Sequence, residues 1–176
     1  LLVAFALPET LKPERRKPLA LATMARSFGT LFRDARFLGL TLIAGLGLAS
    51  FFSFIANASF IYIDHYGMSP LEFSFAFSVN AIGFIGASQF AATLGRRFGM
   101  ARVVMVATGC YAIFAWILFT AVATGPDSLW VLIPLIFCSF AFLGLVVPST
   151  MVLALDDHGP IAGMASALGG TLQMVA

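Results

Sequence analysis

The side chains in this sequence that could do chemistry are few, and those inside its long apolar stretches are amides and hydroxyls rather than acids or bases. Ser50, Ser53 and Asn57 recur at i, i+3 and i+7, so a helix brings them to one face, with Gly47 at its edge. Ala76, Asn80, Gly83 and Ala87 form a second stripe of small and polar residues, with Gln89 further along. An amide in hydrocarbon is costly unless it finds a partner or faces a cavity. On one reading the small residues let helices pack closely while Ser and Asn bond across the seam. On the other, Ser53, Asn57, Asn80 and Gln89 line a substrate cavity, where uncharged amides that both donate and accept suit loose orientation of varied molecules. Phe54 and Phe60, three residues to either side of Asn57, would offer such a cavity aromatic surface, with cation–π attraction of about 0.5–2 kcal/mol each. Most of the 19 phenylalanines must instead face lipid or neighbouring helices.

Other chemistries lack their residues. Within the apolar stretches there is no His-Glu-x-x-His, no pair of carboxylates, no Gly-x-Ser-x-Gly and no Walker loop, and His65 and His158, at helix ends, fit no metal-ligand spacing. Neither a catalytic residue, a metal site nor a cofactor is expected, and the chain reads as a carrier rather than an enzyme. A non-transporting membrane scaffold remains the rival that composition alone does not separate. Two cysteines, Cys110 and Cys138, both in apolar runs, do not make a disulfide framework.

The elements that must position these groups follow from composition. Of 176 residues, 60% are hydrophobic and 10% charged, against about 45–50% and about 25% in a soluble domain. The fold class expected is therefore all-α integral membrane. Crossing about 30 Å of hydrocarbon takes about 20 apolar residues in a helix, and five charge-free runs answer to that, at about 37–63, 73–95, 103–125, 129–155 and 159–176. The runs are too long and too uniformly apolar for barrel strands, which alternate over about ten residues. Residues 1–7 read as the tail of a preceding transmembrane helix. Residues 8–36 read as a connecting loop, since Pro8, Pro13 and Pro18 break any continuous helix, with room for a short amphipathic stretch between Leu19 and Arg36. Both ends of the sequence read as cut.

Lys and Arg fix the orientation: seven lie in residues 1–36 and three in 96–102, with none at 64–72, 125–128 or 156–158. By the positive-inside rule the first segment and the Arg96 loop face the cytoplasm, and alternation puts Asp156, Asp157 and His158 there too. The basic excess marks a membrane side, and no motif for reading nucleic acid accompanies it. Within the fourth run Pro148 removes the hydrogen bond to the Gly144 carbonyl, making this pair a candidate hinge. In the fifth, Gly159, Gly163, Ala167 and Gly170 recur at spacings of four, four and three as a seam for helix packing.

Four strings, LPETLKPERRKPL, RDARFLGLTL, ANASFIYIDHYGMSP and LALDDHGPIAGMASALGGTLQ, resemble drug:proton antiporters of the Bcr/CflA type in the major facilitator superfamily. The resemblance implies twelve helices in two halves. This chain would hold the end of the sixth helix, the central cytoplasmic loop, and the seventh to eleventh helices of an incomplete C-terminal half over 37–176. Its implied partners are the lipid bilayer, small-molecule drugs, protons and the N-terminal half of the same chain. It implies a bacterial inner-membrane location and export by alternating access, with substrate bound between the halves. The Arg96 loop resembles the superfamily's cytoplasmic motif Gly-x-x-x-Asp-Arg-x-Gly-Arg-Arg at Arg97 and Gly99. It departs from the motif at Ala92, Arg96, Met100 and Ala101, so Gly95, Arg96, Arg97, Gly99 and Arg102 read better as a tight turn with anchoring arginines than as a charge-relay gate. No Asp or Glu lies inside the runs, so the proton-coupling acid is expected in the other half, with Asp64 and Glu72 at the mouth.

Overall fold

A computed structural model of the chain describes residues 21–125 and 128–175. The expected tail at 1–7 and the first part of the connection, 8–20, lie outside the described residues. Among those described there are helices and no strands.

Helix α1, Leu21–Arg33, is amphipathic and occupies much of what the sequence reads as loop. Its Leu31 is fully buried, so this segment docks on the bundle rather than merely connecting. Asp34 stops it and starts the next: its carboxylate accepts from the backbone N–H groups of Arg36 and Phe37, an N-cap that satisfies two otherwise unpaired donors. Helix α2, Ala35–Ser59, continues as a π-helical segment, Phe60–His65. Helix α3, Pro70–Phe98, opens on a capping box in which Ser69 and Glu72 each bond the other's backbone N–H. Helix α4 is Met100–Thr124 and helix α5 Leu129–Asp156. A short 3-10 turn, Gly159–Ile161, leads into helix α6, Ala162–Val175. Where a polar cap is present, helices start a few residues before the apolar runs, because the cap and not the hydrophobic boundary sets the first turn.

Four of these helices are long and apolar enough to cross a membrane: 35–65, α3, α4 and α5. The expected fifth span, 159–176, is shorter than that. Gly159–Ile161 is a separate turn, and the 14 residues of α6 reach about 21 Å at 1.5 Å each. Helix α5 is central, packing against α2, α3 and α4, while α6 lies against α2 and α1. One core cluster joins Tyr62, Ala76, Leu132, Ile136, Phe140 and Leu143; a second, at the Arg36 end, joins Leu31, Phe37, Leu40, Val104, Ala154 and Ala165. Outside them, Leu46, Phe75, Ile82, Trp116 and Trp130 are mostly exposed. An apolar exterior of this extent is untenable in water and ordinary against lipid.

Small residues set the closest helix approaches. A Cβ on Gly144 would meet the Phe84 backbone, one on Gly83 the Phe137 ring, and one on Gly47 the Leu143 side chain. Gly144 is thus where α5 presses on α3, and the helix runs on through both Pro134 and Pro148 without a break. The expected seam of Gly159, Gly163, Ala167 and Gly170 is not packed among the described residues: the three glycines have open space where a Cβ would go, and Ala167 is exposed. The packed face of α6 is Ala165 and Gly169, the latter beside Phe37, Thr41 and Met151. Two small-residue faces compete on this helix, and the one turned to α2 and α5 wins the burial.

Candidate functional site

The polar residues of α2 divide by direction. Ser50 Oγ donates to the Gly47 carbonyl at 2.7 Å and pairs with the Tyr111 hydroxyl of α4. Because Ser50 has one proton and spends it on Gly47, the Tyr111 hydroxyl is the donor to Ser50. This pair sits on a groove of about 280 Å³ between α2, α4 and α5, walled by Phe54, Phe140 and Leu132, with Ser139 also on it. Asn57 is exposed and folds its Nδ2 back onto the Ser53 carbonyl at 2.8 Å. Ser53 is exposed as well, and Phe60 is 64% exposed on the same stretch. These three form an outward-facing polar and aromatic surface.

Asn80 does not join that surface. It is buried at 2% exposure, its Nδ2 donating to the hydroxyl of the fully buried Tyr62 at 3.4 Å, while its Oδ1 has no partner. The expectation that Asn57 and Asn80 line one cavity is therefore corrected: one looks out of the bundle and the other is inside it. The cause is the stripe itself, since Ala76, Asn80 and Gly83 are all buried where α3 packs on its neighbours. Gln89, two turns further on, is exposed and donates its Nε2 to the adjacent Ser88 hydroxyl at 3.4 Å. Tyr62 was not singled out by spacing, because the π-helical segment shifts the helical phase around it. Aromatic rings surround the pair. Phe54 lies 6.2 Å from Tyr62 and 4.9 Å from Phe140, and Phe73 lies 6.0 Å from Tyr62.

The charged end carries two cross-helix contacts. Arg36 donates to Asp157 at 2.5 Å, and His158 Nε2 lies 3.2 Å from the Asp34 carboxylate. His158 Nδ1 lies 3.1 Å from the Ala154 carbonyl, so the two ring nitrogens tie the end of α5 to Asp34 and to its own last turn. The Asp34 carboxyl is held below the usual carboxylate range, first by the Phe37 N–H. Burial opposes this, and the Arg36 N–H and the charges of His158 and Arg36 lower it further by smaller amounts. These contacts bring the start of α2 and the end of α5 to one end of the bundle.

At the α3–α4 junction the seven-residue loop 96–102 contracts to one residue outside helix. Gly95, Arg96 and Arg97 are in the last turns of α3, Arg102 is in the first turn of α4, and Gly99 at φ +86° makes the reversal. Arg96 reaches the Thr93 hydroxyl at 3.4 Å, Arg97 lies over the Phe98 ring at 5.2 Å, and Arg102 is exposed. None of the three makes an ion pair among the described residues. No group of three or more His, Cys, Asp or Glu side chains there could hold a metal ion.

Comparison with known proteins agrees with this architecture. Residues 1–176 match the Major Facilitator Superfamily. The chain is 33% identical over 99% of its length to an uncharacterized MFS-type transporter, YdgK, of Bacillus subtilis, and 28% identical over 98% to a bicyclomycin resistance protein homolog of Haemophilus influenzae. It spans 43% of the length of each. No solved structure matches. With four helices able to span a bilayer, an exterior suited to lipid and a match along its whole length, the chain belongs to the major facilitator superfamily of multi-pass membrane transporters.

Proposed function

We propose that the chain is part of a proton-coupled exporter of small lipophilic or cationic compounds that works by alternating access. The observation that carries this is the surface of Ser53, Asn57 and Phe60, where an exposed amide and an exposed ring stand three residues apart and no carboxylate is near in sequence until Asp64. Such a surface orients varied apolar molecules weakly and imposes no charge requirement. Similarity to a protein named for bicyclomycin resistance supports a drug as the cargo. Substrate would bind between this half and an N-terminal half of the same protein, and the end bearing Arg36, Arg96, Arg97 and Arg102 would face the cytoplasm of a bacterial inner membrane.

The described helices carry their acids only at their ends, so the group that binds the coupling proton is assigned outside this segment. Each ligand must favour one facing state over the other for the halves to rock. The test is efflux of a cationic fluorescent dye from cells expressing the full-length protein, with and without a protonophore. The expected result is efflux that collapses with the gradient, falls several-fold in Asn57→Ala, and keeps its coupling when Asp64→Asn and Glu72→Gln are combined. Efflux indifferent to the protonophore would overturn proton coupling. Absence of efflux for every dye would favour a narrow-substrate carrier or a scaffold.

A further inference from the structure

A second groove, of about 360 Å³, opens where the end of α3, the start of α4 and the middle of α5 meet. Its walls are apolar: Leu94, Phe98, Val106, Phe142 and Leu145. Arg102 stands on its rim, and Arg96 and Arg97 lie a turn or two away on α3. Arg102 thus stands at an open apolar trough, Arg97 lies over the ring of Phe98, which lines it, and neither is answered by a carboxylate among the described residues. At ~30 Å³ per water-sized group the trough takes about a dozen such groups, which suits a length of hydrocarbon chain.

From this we infer that the groove is a binding site for an anionic phospholipid, with its phosphate at Arg102 and an acyl chain laid along Val106, Phe142 and Leu145. Charge decides the headgroup. Arginine offers a fork of donors matched to phosphate oxygens, and Arg102, with no carboxylate partner among the described residues, favours a net negative lipid over a zwitterionic one. Depth decides the tail, since the walls beside Arg102 are aliphatic and aromatic side chains of three helices long and apolar enough to cross a membrane. The site is remote in sequence from Ser53, Asn57 and Phe60 and requires nothing of the export reading beyond residence in a bilayer.

The experiment is native mass spectrometry of the full-length protein released from nanodiscs of equal parts phosphatidylglycerol and phosphatidylcholine, with the bound lipid counted. One basic residue near a lipid surface accounts for about a five-fold preference. The wild type should therefore retain phosphatidylglycerol at least five-fold over phosphatidylcholine. Arg102→Gln should reduce that preference about five-fold, and Val106→Trp, which fills the trough and keeps every arginine, should remove the tightly held lipid. Arg33→Gln, at the same end but away from the groove, should change nothing. A preference that survives Arg102→Gln, or falls equally in Arg33→Gln, would reduce the effect to general surface charge and overturn the site. Lipid retained in Val106→Trp would overturn the trough, as would a dimer seen in the wild type and lost in that variant, which would put a second copy there. Loss of dye efflux would not bear on these readings, so the two proposals fail separately.

Discussion

Replacing Gly144 with Ala tests the packing that organises this bundle. A Cβ there would lie 3.0 Å from the Phe84 carbonyl carbon and 3.2 Å from its Cα, and closer still to its oxygen. Carbon atoms in good contact sit at about 3.5–4.0 Å, so α3 and α5 would have to part by roughly half an ångström or more. Backbone cannot swing aside as the end of a side chain can. Phe84 also stacks on Phe51 at 5.0 Å, and Phe51 meets Phe140 at 5.2 Å, so displacement of α3 disturbs a ring cluster spread over three helices. Overpacking of this kind costs about 1–3 kcal/mol, offset by up to about 1 kcal/mol from the better helix propensity of alanine. The net expectation is a loss of about 1–2 kcal/mol. Gly109→Ala on α4 is the control, since nothing lies within 4 Å of its added Cβ. Unfolding of both variants in matched detergent, followed by circular dichroism, gives the comparison. If Gly144→Ala were as stable as Gly109→Ala, the close contact of α3 with α5 would not exist as described.

Ser69→Ala should cost about 0.5–2 kcal/mol by removing one arm of the capping box while Glu72 keeps the other, read in the same unfolding assay. Asp34 gives a pH dependence. Its lowered carboxyl pKa adds stability that is full above the unfolded value of about 3.9 and lost as pH falls through the folded value. Stability measured from pH 6 to pH 3 should therefore drop at the acid end in the wild type and drop less in Asp34→Asn, which keeps a capping oxygen but no charge. Pro148→Ala should slow dye turnover if a missing hydrogen bond to the Gly144 carbonyl lets α5 bend during transport; unchanged turnover would end the hinge reading. Breaking the Arg36–Asp157 pair by Asp157→Asn should cost no more than about 1 kcal/mol, because both side chains are about half exposed.

The helices were legible because a charge in hydrocarbon is expensive, so the gaps between Arg36, Asp64, Glu72, Arg96 and Asp127 mark the runs. Which face of each helix packs was not legible. Lipid is as apolar as a protein core, so the pattern that separates inside from outside in water is weak here. That is why Gly163 and Gly170 looked as suited to a seam as Ala165 and Gly169. Asn80 and Asn57 looked alike for the same reason, although only one is buried. Tyr62 was hidden by a change of helical phase, and Pro134 passed unremarked beside Pro148. The Arg36–Asp157 contact joins residues 121 apart, a relation no local pattern carries.

The reversal at Gly99 has a mechanical consequence. Helices α3 and α4 are joined by a single residue whose N–H bonds the Gly95 carbonyl at 3.0 Å and whose carbonyl accepts from Val103 at 3.2 Å. Met100 fills the space over Gly95, so the elbow is wedged as well as bonded. A joint of one residue, tied on both sides, has no slack to absorb a change in tilt. The two arms must therefore tilt as one stiff hairpin, and spin labels on α3 and α4 near the junction would keep their spacing between the two facing states of the proposed exporter.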